Sequence, residues 1–307
     1  MLKYLGKRLL QLIPTLFGVT VFAFLLVWAV PGDPARIIAG EDATPEEVQI
    51  IRERLGTDKP LIEQYTKYVA NLAKGDLGTS LRSNNPVQEE LMVRFPTTLK
   101  LTVFSVIIMV IVGLFAGIFS ATKPNSLRDN ATMMLSLFGI SMPVFWMGIM
   151  FILLFSYYLP WFPVGGNSEF KHFVLPSIVL GLSASGILAR LTRSSILEII
   201  NQDFVRTARA KGVKEKYVIY KHTLKNALIP IITIVGMEFG TLLGGTVITE
   251  TVFSMNGIGR YVVESIQFRD FPALQGSILF ISLAFVLVIL IVDLSYSLVD
   301  PRIRLEN

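Results

Sequence analysis

Six long apolar stretches restrict the fold of this chain more strongly than any other feature of its sequence. Charged side chains are absent from residues 9–32, 101–122, 130–168, 172–189 and 271–292, and Glu238 is the only one within 226–249. A helix needs about 20 apolar residues to cross the hydrocarbon core of a bilayer. Because backbone groups in lipid must be hydrogen-bonded within the spanning segment, these stretches predict helices rather than strands.

The predicted fold is therefore an all-α membrane protein with six transmembrane helices. The predicted spans are 9–30, 99–121, 133–158, 173–190, 228–249 and 274–298. The stretch 130–168 has room for two helices, but Tyr157 to Gly166 combines interfacial aromatics with proline and glycine, which indicates a loop after one helix. The first stretch follows basic residues as in a secretory signal. It is too long for a signal and no Ala-x-Ala site follows, so we expect it to be retained.

The distribution of basic residues predicts that the N- and C-termini are both cytoplasmic. In this arrangement 16 of the 28 Lys and Arg residues lie in cytoplasmic segments or at their membrane edge. The loop 31–98, between the first two helices, carries eight basic and eleven acidic residues and is predicted to be extracytoplasmic. A seventh helix would place the basic loop around 190–225 outside, against the positive-inside rule.

The extracytoplasmic loop is predicted to be helical. Thr44, Pro45 and Glu47 match an N-cap, a first-turn proline and a capping-box glutamate, and Gly56 is a stop signal. A second helix is predicted to begin at Pro60–Leu61, with one apolar face formed by Leu61, Tyr65, Val69 and Leu72. Residues 1–95 are thus expected to form one region, the first transmembrane helix plus this helical loop.

Composition and motifs exclude most catalytic and binding classes. The chain has no cysteine, and its two histidines, His172 and His222, lie far apart in the sequence. No P-loop, H-E-x-x-H pattern or activated nucleophile is present, and the small residues of 181–186 indicate close helix packing. We predict no catalytic residue, no metal and no cofactor. The net charge of +5 is attributed to loops at an anionic membrane surface and a cytoplasmic partner, not to nucleic acid.

The basic cytoplasmic loop after the fourth predicted helix has the features of a docking element. Asp203 is placed as an N-cap or first-turn acid and Gly212 as a C-terminal stop, which predicts a helix of about two turns. Ala208 and Gly212 stand four residues apart, so they are expected to share a face that another protein can approach closely. A second short helix is predicted to begin around Lys214. A solvated basic loop would need neither the alanines nor the glycine stop.

This loop resembles the EAA loop of ABC importer permeases, whose pattern is Glu-Ala-Ala, three residues, Gly, and then an apolar-x-Leu-Pro. Arg206 stands at the glutamate position, Thr207 and Ala208 at the alanine positions, and Gly212 at the glycine position. Leu224 matches the leucine, and a lysine replaces the proline. These departures resemble the oligopeptide/dipeptide subfamily, in which R-T-A-R-A-K-G is typical. Ala210 belongs to that run.

The resemblance to this subfamily's first permease subunit extends along nearly the whole chain. Short runs in the same order carry it, among them Pro31–Pro34, Gly75–Gly78, Thr192–Ser195, Gly257–Gly259, Arg269–Pro272 and Asp300–Arg302. The resemblance implies that residues 96–307 form a type I ABC importer transmembrane domain in the bacterial inner membrane, with a coupling loop at 197–225. It implies that the residues coupling this domain to an ATPase are Asp203, Arg206, Thr207, Ala208, Ala210, Gly212 and Leu224.

The resemblance also implies partners and cargo. A second homologous permease, two ABC ATPase subunits and an extracytoplasmic substrate-binding protein would complete the transporter in the lipid bilayer. The chain itself would have no ATPase site. Di- and oligopeptides are the expected cargo, with glutathione, nickel chelates and opines as alternatives within the same family.

The sequence leaves two other functional classes of membrane protein possible. A secondary transporter or channel would be expected to carry paired ionisable residues in its spans, whereas only Glu238 lies in mid-span and Asp293 lies towards a helix end. Glu238 is therefore a candidate for the translocation path, with an interhelical hydrogen bond as the alternative role. A scaffold subunit of a larger membrane complex is the third class, and copurification with nucleotide-binding subunits separates it from the first.

Overall fold

The structure is a computed structural model that describes residues 2–29, 33–40 and 42–299. Within these residues the only β-structure is an isolated bridge between Thr79 and Pro86, so the predicted all-α class is confirmed. The helices in chain order are α1 (Leu2–Ala29), α2 (Pro34–Ala39), α3 (Pro45–Leu55), α4 (Leu61–Ala73), α5 (Val87–Ala121), α6 (Leu127–Ser141), α7 (Val144–Ile152), α8 (Lys171–Ile199), α9 (Asp203–Ala210), α10 (Glu215–Tyr217), α11 (Leu224–Gly245), α12 (Val247–Val252), α13 (Ile258–Gln267) and α14 (Phe271–Val299). Two π-helical segments, Leu153–Tyr158 and Val218–Thr223, follow α7 and α10.

Five of the helices are long and apolar enough to cross a membrane. They are α1, α5, α8, the continuous helical stretch from α10 to α11, and α14. A sixth span results if α6 and α7, with the π-helical segment after α7, are counted as one broken span. Within the described residues the observed helices overlap all six predicted spans. Four of these have no break, the third breaks at Met142 and Pro143, and the fifth is interrupted at Thr246, between α11 and α12.

The third predicted span differs from the structure because it breaks at Met142 and Pro143. The two halves are bent by 96°. Proline lacks an N–H and disfavours a helical conformation in the residue before it, and Met142 is accordingly extended, with φ −75° and ψ 130°. Helix α7 then begins directly after the proline.

All six predicted spans begin earlier in the structure, and the second and the fifth differ most from the prediction. Helix α5 begins at Val87 rather than at residue 99, because Glu90 and Arg94 form an ion pair one turn apart and continue the helix beyond the apolar stretch. The predicted second short helix begins at Glu215, with Lys214 at its N-cap position, and continues through the π-helical segment into the fifth span.

The first of two compact units contains α1 to α4, the start of α5, α13 and the first half of α14, that is, residues up to Pro96 and Gly257–Ala284. Its core consists of Val87, Leu91, Ile258, Tyr261 and Ala273. These contacts explain why residues 257–284 join the N-terminal region, although the sequence analysis had assigned everything after residue 95 to one transmembrane domain.

The extracytoplasmic helices follow their predicted signals. Thr44 and Glu47 form the capping box of α3, and Gly56 ends it with φ +74°. The buried face of α4 differs by one residue from the prediction. Tyr65 contacts Phe24 and donates to or accepts from Thr20 at 2.9 Å, and Tyr68 also contacts Phe24, whereas Leu61 and Val69 of the predicted face are exposed.

Among the described residues the second unit consists of 97–256 and 285–299, and it is built around α8. Helix α8 is the most buried of the candidate spans, and small residues allow its neighbours to approach closely. A Cβ added at Gly181 would lie 2.7 Å from Ile108 of α5, and one at Gly186 would overlap Ser136 of α6. The predicted packing role of 181–186 is thereby confirmed. The C-terminal run Asp300–Arg302 and the Pro31–Gly32 dipeptide lie outside the described residues.

Candidate coupling surface and translocation site

Helix α9 is the predicted two-turn helix, and both of its ends have a clear physical cause. Asp203 is the first helical residue, where its negative charge favours the helix N-terminus. At the other end, Gly212 has φ +77°. The Gly212 N–H donates to the Arg209 carbonyl at 2.9 Å, and the Val213 N–H donates to the Ala208 carbonyl at 3.2 Å. This pair of bonds is a Schellman motif, so the predicted stop is confirmed.

One face of α9 packs on the chain and the other is exposed. Val205 and Ala208 are buried, and α9 contacts the π-helical segment Val218–Thr223. Phe204 keeps 41% of its surface exposed, and Thr207 is exposed one turn later. The prediction that Ala208 shares a free face with Gly212 is therefore wrong: Ala208 is only 7% exposed because its small side chain lets α9 lie close to the π-helical segment Val218–Thr223.

An ion pair braces α9 against the next helix. The Arg209 Nε and Nη2 atoms donate to the two carboxylate oxygens of Glu215 at 3.1 Å and 2.7 Å. Two parallel hydrogen bonds fix the relative orientation of the guanidinium and the carboxylate as well as the distance between them. The loop therefore presents α9 as an ordered element at the start of the helical stretch that continues into α11.

The structure brings six of the seven predicted coupling residues together on α9 and its terminal turn. Arg206 is 74% exposed with its Nη1 atom 3.8 Å from Asp203, and Ala210 is exposed. Leu224 lies apart from them, at the start of α11, where it is partly buried against the main core of its unit.

Glu238 occupies the middle of α11 and is half-buried. In the described part of the chain no hydrogen bond or ion pair reaches its carboxylate. Its two predicted roles, in the translocation path or in an interhelical hydrogen bond, both stay predictions. On the same helix, Gly236 and Gly240 lie against Val292 and Phe285 of α14, and a Cβ on either glycine would overlap these side chains. Both glycines therefore allow α11 and α14 to pack closely.

An ion pair that the sequence analysis did not identify joins three helices near the coupling loop. Asp129 of α6 accepts hydrogen bonds from Arg193 of α8 and from Ser120 at the end of α5. The Asn125 N–H also donates to it, at 2.8 Å. The only sequence signal was the position of the two opposite charges just outside the apolar stretches 130–168 and 172–189.

A second unpredicted feature is the fully buried Glu250 in α12. Thr98 and Thr246 donate hydrogen bonds to its Oε1 atom at 2.6 Å and 2.9 Å. These bonds tie α12 to α5 within the second unit. In sequence Glu250 only marked the end of an apolar stretch, and nothing there indicated its hydroxyl partners.

Two family models together match most of the chain. The model described as "Binding-protein-dependent transport system inner membrane component" matches residues 113–305. The model of the corresponding N-terminal region, "Binding-prot-dependent transport system membrane comp, N-term", matches residues 1–102.

Similar proteins and a similar structure agree with that match. The glutathione transport system permease protein GsiC of Escherichia coli is 45% identical over 99% of this chain and 99% of its own length. The dipeptide transport system permease protein DppB of Alkalihalophilus pseudofirmus is 44% identical over 99% of this chain and 100% of its own length. A chain of the MetNI methionine ABC transporter in an inward-facing conformation shares the fold, with a TM-score of 0.60 and 17% identity over 69% of this chain and 96% of that chain.

Proposed function

The chain belongs to the family of binding-protein-dependent transport system inner membrane components, and on this premise we propose that it is the permease subunit of an ABC importer for short peptides. The observation that carries the proposal is the 44–45% identity, over 99% of the chain, to dipeptide and glutathione permeases. Glutathione is itself a short peptide, so the two names share one chemical class of cargo. The subunit forms half of the translocation pathway, and separate subunits hydrolyse ATP.

In this function the chain crosses the inner membrane six times, with α6 and α7 as one bent span. Both termini and the loop that carries α9 are cytoplasmic, and α2 to α4 are extracytoplasmic. The excess of Lys and Arg in the proposed cytoplasmic segments supports this orientation, because positive residues are retained on the cytoplasmic side.

Helix α9 is the proposed docking site for an ATPase subunit. Its exposed face combines an aromatic side chain, Phe204, with Thr207 and Lys211, and its rear face is anchored by Val205 and Ala208. An exposed aromatic residue on a braced helix is suited to fill a pocket on a partner. Ala208 thus contributes to coupling by seating α9, and Phe204 replaces it as the proposed contact.

Glu238 is proposed to line the translocation path. A carboxylate near mid-bilayer costs roughly 2.5–3.5 kcal/mol on insertion scales, so such groups face protein or water rather than lipid. Glu238 is half-buried and has no partner among the residues that the structure describes. A water-filled path shared with a second, homologous permease supplies that environment, and there the carboxylate attracts the ammonium group of a peptide.

The complete transporter contains this chain, the second permease, two ABC ATPases and an extracytoplasmic binding protein. The test is uptake of a radiolabelled dipeptide into proteoliposomes that contain this complex. We expect uptake that needs ATP and the binding protein, and that stops when the ATPases carry an inactivated P-loop. Peptide uptake that persists without ATP would contradict the proposal and favour a secondary transporter.

Glutathione is the second candidate cargo, because permeases with 45% identity carry that name. Two measurements distinguish them: excess glutathione reduces dipeptide uptake if the complex binds it, and uptake of radiolabelled glutathione shows whether it is also transported. ATP-driven uptake of glutathione without uptake of dipeptides would assign the narrower function.

A further inference from the structure

The first compact unit contains a partly open polar cavity that none of the functions above uses. Its volume is about 310 Å³. The residues that define its chemistry are Ser80, Arg82, Glu90, Arg94, Tyr261 and Asp270, all from that unit. They come from the turn before α5, the first two turns of α5, helix α13 and the turn between α13 and α14.

Most of the charged groups around the cavity are already satisfied. Glu90 is paired with Arg94, and Arg82 is paired with Glu264 at 3.2 Å. Asp270 accepts hydrogen bonds from the Ser80 hydroxyl at 2.5 Å and from the backbone N–H groups of Arg82 and Ala273. The acidic side of the cavity is therefore held in place by the chain itself.

Two polar atoms of the residues around the cavity lack a hydrogen-bond partner. The Tyr261 hydroxyl and the Arg94 Nε atom are buried and make no hydrogen bond of ordinary geometry with any residue that the structure describes. Tyr261 is only 7% exposed, and the Arg94 guanidinium carbon lies 4.3 Å above the centre of its ring. Buried polar groups in folded proteins nearly always have a hydrogen-bond partner. Two such groups without a partner, on neighbouring side chains, therefore indicate that a ligand supplies it.

Both groups are donors. A guanidinium can only donate, and its planar fork matches a carboxylate. Burial raises the pKa of the Tyr261 hydroxyl, the charges of Asp270 and Glu90 raise it further, and the Ser80 hydroxyl and Arg94 act in the opposite direction. A phenol is protonated at neutral pH, and a raised pKa keeps it so. A neutral phenol beside a guanidinium offers two hydrogen bonds to one anionic acceptor.

We propose that this cavity binds the terminal carboxylate of a short zwitterionic peptide, with Arg94 and Tyr261 as its ligands. The assignment rests on the proposed peptide-import function and adds a binding site on the permease itself. Three carboxylates, Glu90, Glu264 and Asp270, line the cavity with Arg82 and Arg94, and Arg260 also pairs with Glu264, at 3.0 Å. These charges balance, so the cavity disfavours an inorganic anion and favours a ligand without net charge, in which an ammonium group accompanies the carboxylate. A volume near the lower end of the range for small-molecule sites suits the end of a peptide.

The experiment measures binding of a dipeptide, and of the same dipeptide with an amidated C-terminus, to the purified membrane complex without binding protein. The wild-type complex is expected to prefer the free carboxylate about tenfold or more, because a hydrogen bond to a charged group is stronger than one to a neutral group. Tyr261→Phe keeps the ring and should remove most of that preference. Inorganic phosphate should not compete.

Tyr68→Phe is the matched control, because Tyr68 also has a buried hydroxyl without a partner in the described region but does not line this cavity. It should leave the carboxylate preference unchanged. Thermal unfolding is followed for both variants, and neither is expected to lose stability, since each removes an unsatisfied buried group.

The assignment is overturned if the wild type shows no preference for the carboxylate, or if Tyr261→Phe retains it. Failure of the proposed import function has a different signature, the absence of ATP-driven dipeptide uptake by the wild type. Uptake with an unaltered carboxylate preference in Tyr261→Phe would leave peptide import intact and remove only this site.

Discussion

Arg193 holds Asp129 with two hydrogen bonds, from Nε at 2.7 Å and from Nη2 at 2.6 Å, and so fixes α8 against the start of α6. The Asp129 side chain is 2% exposed and that of Arg193 is 26% exposed. Helix α8 ends at Ile199, and α9 begins at Asp203. The ion pair therefore positions the end of the helix from which the proposed coupling element extends.

Breaking this pair should destabilise the protein. Arg193→Ala leaves the buried Asp129 carboxylate without its cation, and we expect a loss of about 3 kcal/mol, the low end for buried pairs because Arg193 is partly exposed. A fall of roughly 5–10 °C in the unfolding temperature, measured by scanning fluorimetry in detergent, would correspond to that loss.

The matched control for this prediction is Arg206→Ala. Its partner Asp203 is 98% exposed at 3.8 Å, and surface pairs contribute little. The unfolding temperature should stay within about 1 °C of wild type. Equal changes in unfolding temperature for the two substitutions would show that the Asp129–Arg193 pair stabilises the protein no more than an exposed ion pair does.

The membrane orientation can be tested with single cysteines, because the chain contains none. Ile50→Cys and Asn85→Cys should react with an impermeant thiol reagent added to intact cells. Lys123→Cys and Lys214→Cys should react only after the cells are opened. All four side chains are exposed in the structure, so a lack of reaction reports on the membrane rather than on burial. External labelling at residue 214 would reverse the proposed orientation of α9.

The docking role of α9 predicts that a substitution on its exposed face weakens coupling to the ATPase without lowering the stability of the permease. Phe204→Ser removes an exposed aromatic side chain, so the fold should be unaffected. Association with the ATPase should weaken by about tenfold or more, because burial of one such side chain contributes about 1.5–3 kcal/mol. Pull-down of the ATPase and substrate-stimulated ATP hydrolysis in proteoliposomes measure the two effects.

Ile62→Ser is the corresponding control for α9. It removes an apolar side chain that is 79% exposed on the proposed outer side, where no ATPase binds. Ala208→Glu should act differently from Phe204→Ser: the buried position cannot hold a carboxylate, so α9 should detach and become protease-sensitive. Full coupling in Phe204→Ser would exclude this face as the ATPase contact.

Glu238→Gln tests the charge in the proposed path. The substitution keeps the shape of the side chain and removes its charge, so complex assembly should be normal while dipeptide uptake falls several-fold. Glu198→Gln, on the exposed end of α8, should have no effect on uptake. Uptake by Glu238→Gln that equals wild type from pH 5 to 8 would show that the charge has no role.

The close contact between α11 and α14 predicts that a single added methyl group lowers the stability of the protein. Gly240→Ala should destabilise the protein by about 1–3 kcal/mol, because the new methyl group would overlap Phe285. Gly18→Ala has no atom within 4 Å of the new methyl group and should be neutral or stabilising by up to about 1 kcal/mol. Thermal unfolding of the two variants, measured side by side, tests this contact; equal unfolding temperatures would show that Phe285 moves aside at no cost.

Features that depend on neighbouring residues along the chain were predictable from the sequence. The capping box at Thr44 and the left-handed stop at Gly212 involve hydrogen bonds within a few residues, so their signals are complete in a short segment. The stretches around α1, α8 and α14 predict helices for a similar reason, since helical hydrogen bonds are local and lipid permits no other partner. The R-T-A-R-A-K-G run of α9 could be recognised without any tertiary information.

Features that depend on distant residues were decided by tertiary structure alone. Ala208 was predicted to be exposed because a helix pattern does not reveal which face of α9 the segment Val218–Thr223 will cover. Asp129 and Arg193 are 64 residues apart, and Tyr261 meets Arg94 from a different part of the chain. The sequence by itself determined a six-stretch helical membrane protein of the permease family, through local hydrogen bonding and the exclusion of charge from lipid. Only the packed structure determined which charges pair, which face of α9 is exposed, and where two buried donors remain unmet, because these depend on side chains that folding brings together.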